Sequence, residues 1–195
     1  MLVNSAGFGS YGAVEDVSMA DAKYQLDVNV FGAARLAQLV IPYMREQHWG
    51  KIINISSMGG KIAMPLGGWY HTSKFALEAL SDSLRMEVKQ FGIDVIVIEP
   101  GGVKSEWSDI AVENGLKVSG NGMYKKMTAK FASLNKSIGN RLSEPLLIAN
   151  FILKAISATH PKTRYAGGFM TRPLLFVRKI LSDKMMDKLL LSQLK

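Results

Sequence analysis

The feature that most restricts the fold of this chain is a repeated switch of hydrophobic period. Three short β-branched runs, Leu2-Val3, Lys51-Ile-Ile-Asn-Ile55 and Ile93-Asp-Val-Ile-Val-Ile98, end in turn chemistry, and longer stretches of helical period separate them. Short, almost unbroken apolar runs suit strands of a parallel sheet buried on both faces. From Ala22, the apolar positions Ala22, Leu26, Val30, Ala33, Ala37, Val40 and Met44 step by three or four and share one helical face. Ser18 and Asp21 are placed as a capping box in front of them. A second helix is expected from about Tyr70 to Phe91, with Phe75, Leu77, Leu80, Leu84 and Val88 at compatible spacing and Gly92 as its stop. Ser143-Glu-Pro-Leu opens another helix running to about Ile156, and Thr163-Arg-Tyr-Ala reads as one more strand before Gly167-Gly168. Strand and helix alternate, so the class is α/β. Residues 104–140 are polar, contain Lys and Gly, and hold no sustained period, which predicts a mobile loop-helix region over a site.

Composition narrows the possible chemistry. A chain of 195 residues, 48% of them hydrophobic, supports one domain that buries roughly 70% of its unfolded surface. The absence of cysteine excludes a disulfide framework and thiolate metal sites, makes metal chemistry unexpected, and fits a reducing cytoplasm. The start Met-Leu-Val-Asn-Ser-Ala-Gly lacks the basic and apolar regions of a secretory signal, and no later run is long enough to cross a bilayer, so a soluble, cytoplasmic protein is expected. The net charge of +8 is uneven: residues 1–100 hold 8 Lys+Arg and 10 Asp+Glu, residues 101–195 hold 16 and 6. Nucleic acid is not an expected partner, because no Arg-rich helix or aromatic-basic surface motif accompanies the charge.

In parallel α/β sheets ligands bind beyond the carboxyl ends of the strands, which directs attention to Asn4-Ser-Ala-Gly7, Ser56-Ser57 and Pro100-Gly-Gly-Val103. Tyr70-His-Thr-Ser-Lys74 sets a phenol and an ammonium one helical turn apart. A phenol with a pKa of about 10 is a poor acid–base group at neutral pH, but a neighbouring Lys⁺ favours phenolate. Tyr70 could then exchange a proton with an alcohol or carbonyl oxygen that Ser57 also holds, while a hydride moves to or from a nicotinamide ring. Tyr-x-x-x-Lys alone is far more readily an ordinary solvated helix face. It gains weight because Ser57 lies thirteen residues before Tyr70, Asn29 forty-one before it, and a Pro-Gly turn begins at Pro100 after the next strand.

With these separations the sequence resembles the short-chain dehydrogenase/reductase family, whose pattern places Asn, Ser, Tyr and Lys in this order. The resemblance implies a catalytic set of Asn29, Ser57, Tyr70 and Lys74, in which the backbone carbonyl of Asn29 holds a water linking Lys74 to solvent. Read on its own, Asn29 is a local polar contact within a helix. Spacing selects Ser57 over Ser56. Asn4-Ser-Ala-Gly7 is similar to the family's Asn-Asn-Ala-Gly turn with Ser5 in place of the second Asn, which would put Asn4, Ala6 and Gly7 beside the cofactor's adenosine side; alone it is a strand-end turn. Pro100-Gly-Gly-Val-Lys-Ser105 is similar to the family's Pro-Gly-x-x-x-Thr with Ser for Thr. That makes Pro100, Gly101, Val103 and Ser105 cofactor-binding candidates, Val103 and Ser105 at the nicotinamide amide, together with Tyr70 and Lys74. Gly7-Phe-Gly9-Ser-Tyr-Gly12 spells G-x-G-x-x-G but is rejected as a dinucleotide fingerprint, because no helix starts at its final glycines.

The resemblance further implies NADP or NAD as cofactor, a small, apolar alcohol or ketone as substrate, similarity to hydroxysteroid and retinol dehydrogenases, and a homo-oligomer at full length. The family's Thr-Gly-x-x-x-Gly-x-Gly loop is not found, and Met1 falls inside the fourth strand. The expected fold is therefore a Rossmann-like doubly wound parallel sheet lacking its first strands and glycine-rich loop, roughly 70–90 residues judged by the size of a βαβ unit. Half of the cofactor crevice of strand order 3-2-1-4-5-6 would be missing, strand Leu2-Val3 would form an open edge, and the truncated chain alone would aggregate or be inactive. Residues 1–195 are expected to form a single partial catalytic domain, with a substrate loop or lid over 104–140 and C-terminal helices over 172–195. Met123, Met127, Phe131 and Trp107 either line the pocket or belong to the core. The basic, apolar tail 172–191 either caps the substrate site or packs on a neighbouring subunit, or acts as a membrane-surface or interaction module.

Overall fold

The computed structural model describes residues 1–194. Four strands, β1 (Leu2–Asn4), β2 (Gly50–Ile55), β3 (Ile93–Pro100) and β4 (Arg164–Gly167), form one parallel sheet in the order β1-β2-β3-β4. The register pairs Val3 with Ile53, Ile53 with Ile96 and Ile98 with Tyr165. Period-two alternation then divides the strand side chains between two cores. Ile52, Ile93 and Val95 pack with Ala37, Met44 and Val88 on one face, whereas Ile53, Ile96 and Ile98 pack with Ala155 and Tyr165 on the other. Each fully buried isoleucine contributes about 1.5–3 kcal/mol through removal of its side chain from water.

The first face is covered by α1 (Met19–Leu26), a π turn (Asp27–Gly32) and α2 (Ala33–Glu46), which run on as one helix, together with α3 (Gly68–Val88). The expected cap is present: Ser18 Oγ accepts from the N–H of Asp21 at 3.1 Å and donates to its carboxylate at 2.6 Å. Beyond α3 a short 3₁₀ turn ends at Gly92, whose φ of 72° and 2.4 Å approach of a would-be Cβ to the His48 carbonyl admit only glycine. The second face is covered by α6 (Leu146–Ser157).

Residues 104–140 hold more regular structure than the loop-helix region expected there. They form α4 (Trp107–Ser119) and α5 (Lys125–Ile138), which pack on one another through small and hydroxylated residues: Ala111, Gly115, Ser119 and Thr128 are all buried. Ser119 Oγ accepts from the N–H of Ala13 and donates to Asp16, and Thr128 Oγ1 donates to the carbonyl of Tyr124. A hydropathy pattern is blind to a contact made by satisfied hydroxyls. At the far end of the chain lie α7 (Thr171–Ile180) and α8 (Asp183–Ser192). Met186 and Leu190 of α8 pack on Ile62, and Leu194 enters the aromatic cluster around Tyr70. Arg172, Phe176, Lys179 and Ile180 remain on the exposed face of α7. No helix among the described residues is long and apolar enough to cross a membrane.

Candidate active site

Ser57, Tyr70 and Lys74 meet at the carboxyl ends of β2 and β3. Ser57 follows β2 and starts a 3₁₀ turn (Met58–Gly60), its Oγ accepting from the N–H of Gly59 at 2.9 Å and lying 3.5 Å from the Pro100 carbonyl at the end of β3. Ser56 points the other way: it is buried, and its Oγ has no partner among the described residues. Helix α3 presents Tyr70 and Lys74 on one face, 7% and 6% exposed. The Lys74 ammonium donates to the carbonyl of Ile55 at 2.9 Å and stands 5.9 Å from the centre of the Tyr70 ring.

The electrostatics depart from the expectation that Lys74 draws the phenol down. Burial pushes Tyr70 up to about 12, partly offset by hydrogen bonding with Ser57. Burial also brings Lys74 down to about 8, against the opposing pull of the Glu78 carboxylate one turn further along α3. The reason is geometric. The ammonium is engaged by the Ile55 carbonyl and sits over the ring face, so desolvation of the phenol outweighs its attraction.

Asn29 is 1% exposed and sits in the π turn. Its Nδ2 donates to the Phe8 carbonyl and to Ser73 Oγ, both at 2.9 Å, and its Oδ1 accepts from the Phe8 N–H at 3.0 Å. Ser73 Oγ in turn donates to the Tyr70 carbonyl at 2.7 Å. The side chain therefore straps the loop after β1 to the turn of α3 that bears Tyr70 and Lys74. Single π turns inside α-helices recur at functional sites.

The remaining candidates divide. Gly7 belongs to the site: a Cβ there would lie 3.2 Å from Asn29 Oδ1 and 3.5 Å from Lys74 Nζ, and Ala6 and Gly7 are exposed. Asn4 does not face the cleft openly. It is buried, and its Nδ2 donates to Asn54 Oδ1 at 2.8 Å across the β1–β2 pair. Pro100 and Gly101 lead from β3 toward α7, where Thr171 Oγ1 would stand 2.0 Å from a Cβ at Gly101. Val103 bridges to Ser143 and is half-buried, whereas Ser105 is exposed just before α4.

An aromatic roof covers Tyr70. Trp107 lies 4.9 Å from it between ring centres and Tyr11 5.8 Å, and Phe131 stacks on Tyr11 at 5.2 Å. Met127 packs against this cluster; Met123, expected among the pocket candidates, is 94% exposed and is excluded from it. Sequence reasoning missed Tyr11, although the signal was there. Gly9 and Gly12 flank it because Cβ atoms would come within 2.6 Å of Trp107 and of Val118, so the glycines of the rejected G-x-G-x-x-G stretch serve close packing on α4. It also missed an ionic cluster behind α3. Buried Glu78 and Glu99, with Asp82, surround Arg164 of β4, whose Nη2 donates to Glu78 at 2.9 Å and to Asp82 at 2.7 Å and whose Nε lies 3.2 Å from Glu99, while Lys61 pairs with Glu78 at 2.9 Å. These residues are too far apart in sequence to form a motif.

A Rossmann-like α/β domain with a buried hydroxyl–phenol–ammonium site at its strand ends is thus defined. Residues 1–114 match the family model described as short chain dehydrogenase. The chain is 37% identical over 193 residues to the probable short-chain type dehydrogenase/reductase VdlC of Helicobacter pylori, covering 97% of this chain and 69% of that protein. It is 34% identical over 207 residues to the NADPH-dependent 3-dehydrocapnine reductase of Ornithobacterium rhinotracheale, covering 100% of this chain and 70% of that one. The crystal structure of a short-chain dehydrogenase from Streptomyces avermitilis superposes with a TM-score of 0.74 at 27% identity, over 92% of this chain and 64% of that one. The chain belongs to the short-chain dehydrogenase/reductase family, and it spans about two thirds of the length of these relatives.

Proposed function

We propose that the protein is an NAD(P)-dependent oxidoreductase that interconverts a ketone and an alcohol on a small, apolar substrate, with Tyr70 as the acid–base group. The observation that carries this reading is the convergence of Ser57, Tyr70 and Lys74 at the ends of β2 and β3 under the roof of Tyr11, Trp107 and Phe131. The residues fit the nicotinamide–ribose end of the cofactor. Gly7 leaves a space beside Lys74 Nζ and Asn29 Oδ1 that a Cβ would fill, and the ammonium keeps N–H groups beyond its bond to Ile55. Val103 and Ser105 stand at the end of the Pro100 turn, where they would meet the carboxamide. When bound, the cofactor supplies or accepts the hydride.

Each side chain then has a separate task. With the Gly59 N–H already bonded to its oxygen, Ser57 has only to turn its own hydrogen from the long 3.5 Å contact with the Pro100 carbonyl to reach the substrate oxygen. Tyr70, at about 12, is fully protonated near neutral pH, the form that gives a proton to a ketone oxygen as it becomes alkoxide, so the unliganded site is poised for reduction. Lys74, at about 8, holds an exchangeable proton one turn away. The aromatic roof excludes water and favours an apolar substituent.

The test uses the full-length gene product with cofactor deuterated at nicotinamide C4 and a series of methyl ketones of growing chain length. Deuterium should appear on the carbinol carbon, and kcat/KM should rise about fourfold per added CH₂ while the chain still reaches the roof, on the basis of about 0.8 kcal/mol for each buried CH₂. Absence of deuterium from every product would exclude hydride transfer at this site.

A further inference from the structure

We propose that His71 is a positioning residue for Ser57: its Nδ1–H, donated to the Gly59 carbonyl, holds the turn whose own N–H fixes the serine hydroxyl. This rests on the Ser57–Tyr70 reading above. His71 directly follows Tyr70 on α3 but points to the 3₁₀ turn, 5% exposed, with Nδ1 3.0 Å from Gly59 O. A carbonyl oxygen can only accept, so Nδ1 carries the proton and Nε2 bears the lone pair. Nε2 is buried without a partner among the described residues. The other tautomer would give up the bond to Gly59 and place an N–H where no acceptor stands, so a single tautomer is selected. The imidazolium would bury the same unpartnered N–H, and burial accordingly keeps the ring's pKa below its ordinary value despite the Gly59 bond.

The ring is also gripped on both sides by the segment it organises. A Cβ at Gly59 would lie 2.9 Å from Nδ1, and one at Gly67 would lie 2.7 Å from Nε2. Both glycines belong to the connection between Ser57 and Tyr70, so His71 is clamped between the beginning and the end of the loop that sets the distance between the two reacting side chains. The chain of contacts is short. His71 Nδ1 holds Gly59 O, Gly59 N holds Ser57 Oγ at 2.9 Å, and the serine oxygen is thereby fixed, its hydrogen directed to the Pro100 carbonyl at 3.5 Å. Releasing the first bond returns rotational freedom to the last. Pre-ordering of this kind is what positions a reacting group, and a displacement of 1 Å can cost about 100-fold in rate.

Three variants of the full-length gene product separate positioning from space filling. The amide nitrogen of His71→Asn falls near the place of Nδ1, that of His71→Gln near Nε2, and His71→Phe keeps the ring volume with no donor. The Phe and Gln variants should lose about 10–100-fold in kcat with KM for the cofactor nearly unchanged, and the Asn variant should recover to within about threefold of the parent. Equal loss in all three, or full activity in the Phe variant, would reduce His71 to a core filler and overturn the proposal. A Tyr70→Phe control keeps the two readings apart: turnover that survives it faults the site itself, whereas its loss alongside three active His71 variants faults only His71. Independently of turnover, imidazole ¹⁵N shifts of the same cofactor-free protein at pH 7 should show Nδ1 of His71 protonated and Nε2 bare; the opposite tautomer or an imidazolium would also overturn it.

Discussion

At the scale of single residues, the site works by burying groups that water would otherwise level. Free lysine and tyrosine titrate within about half a pKa unit of each other; here burial moves Lys74 to about 8 and Tyr70 to about 12, so the ammonium loses its proton long before the phenol does. Lysine Nζ resonances and the tyrosinate absorbance near 295 nm should show that order in the cofactor-free protein, and a Tyr70 transition below that of Lys74 would contradict it. The same burial acts on stability. Lys74 is depressed in the folded state relative to the ordinary 10.5, so between about pH 8 and 10.5 the unfolded chain holds a proton that the folded chain has released, and this group makes folding more favourable as pH rises across the window. Lys74→Met should therefore abolish turnover yet stabilise the fold at pH 7 by about 1–3 kcal/mol, the relief of a buried charge less the lost bond to Ile55. Denaturant midpoints should show the gap closing by pH 10.5. Residue types and spacing made Ser57, Tyr70 and Lys74 legible in the sequence. The direction of the Tyr70 shift was not, because it depends on how much water Tyr11, Trp107 and Phe131 remove.

Among the elements, the strands followed directly from hydrophobic period, since their buried positions are mostly aliphatic, whereas α3 was legible from its Leu and Val spacing although it buries chiefly polar groups, Tyr70, His71, Ser73, Lys74, Glu78 and Ser81, and leaves the expected Phe75 43% exposed. The α4–α5 pair was hidden because Ser119 and Thr128 are buried through hydrogen bonds. The clamp behind the site was hidden too, since Glu78 and Asp82 lie on α3, Glu99 on β3 and Arg164 on β4. This clamp ties the helix carrying Tyr70 to β3, one of the strands whose ends frame the cleft, and to its neighbour β4. Arg164→Met would leave buried Glu78 and Glu99 without their shared guanidinium and should cost about 3 kcal/mol, a value for breaking a buried ion pair. Urea unfolding at neutral pH measures it, and a change below about 0.5 kcal/mol would show that Lys61 and Arg85 suffice to hold the carboxylates.

Across the whole molecule, the sheet brings three strand ends to one rim, the π turn and Asn29 fasten the first of them to α3, and α4, α5 and Leu194 close over the phenol. The alternation of strand and helix announced this architecture, but the roof could not be read in advance: Tyr11, Trp107, Phe131 and Leu194 come from four distant segments that only the fold assembles. The central claim is that this enclosed phenol moves the proton. Its most direct test is Tyr70→Phe in the full-length gene product, with turnover and NAD(P)H binding measured side by side. Turnover should fall by about 1,000-fold or more while cofactor affinity stays within a few-fold, in keeping with the loss of an acid–base group that general catalysis values at about 10²–10⁴. Turnover close to that of the parent would show that the proton travels by another route and that the site has been misread.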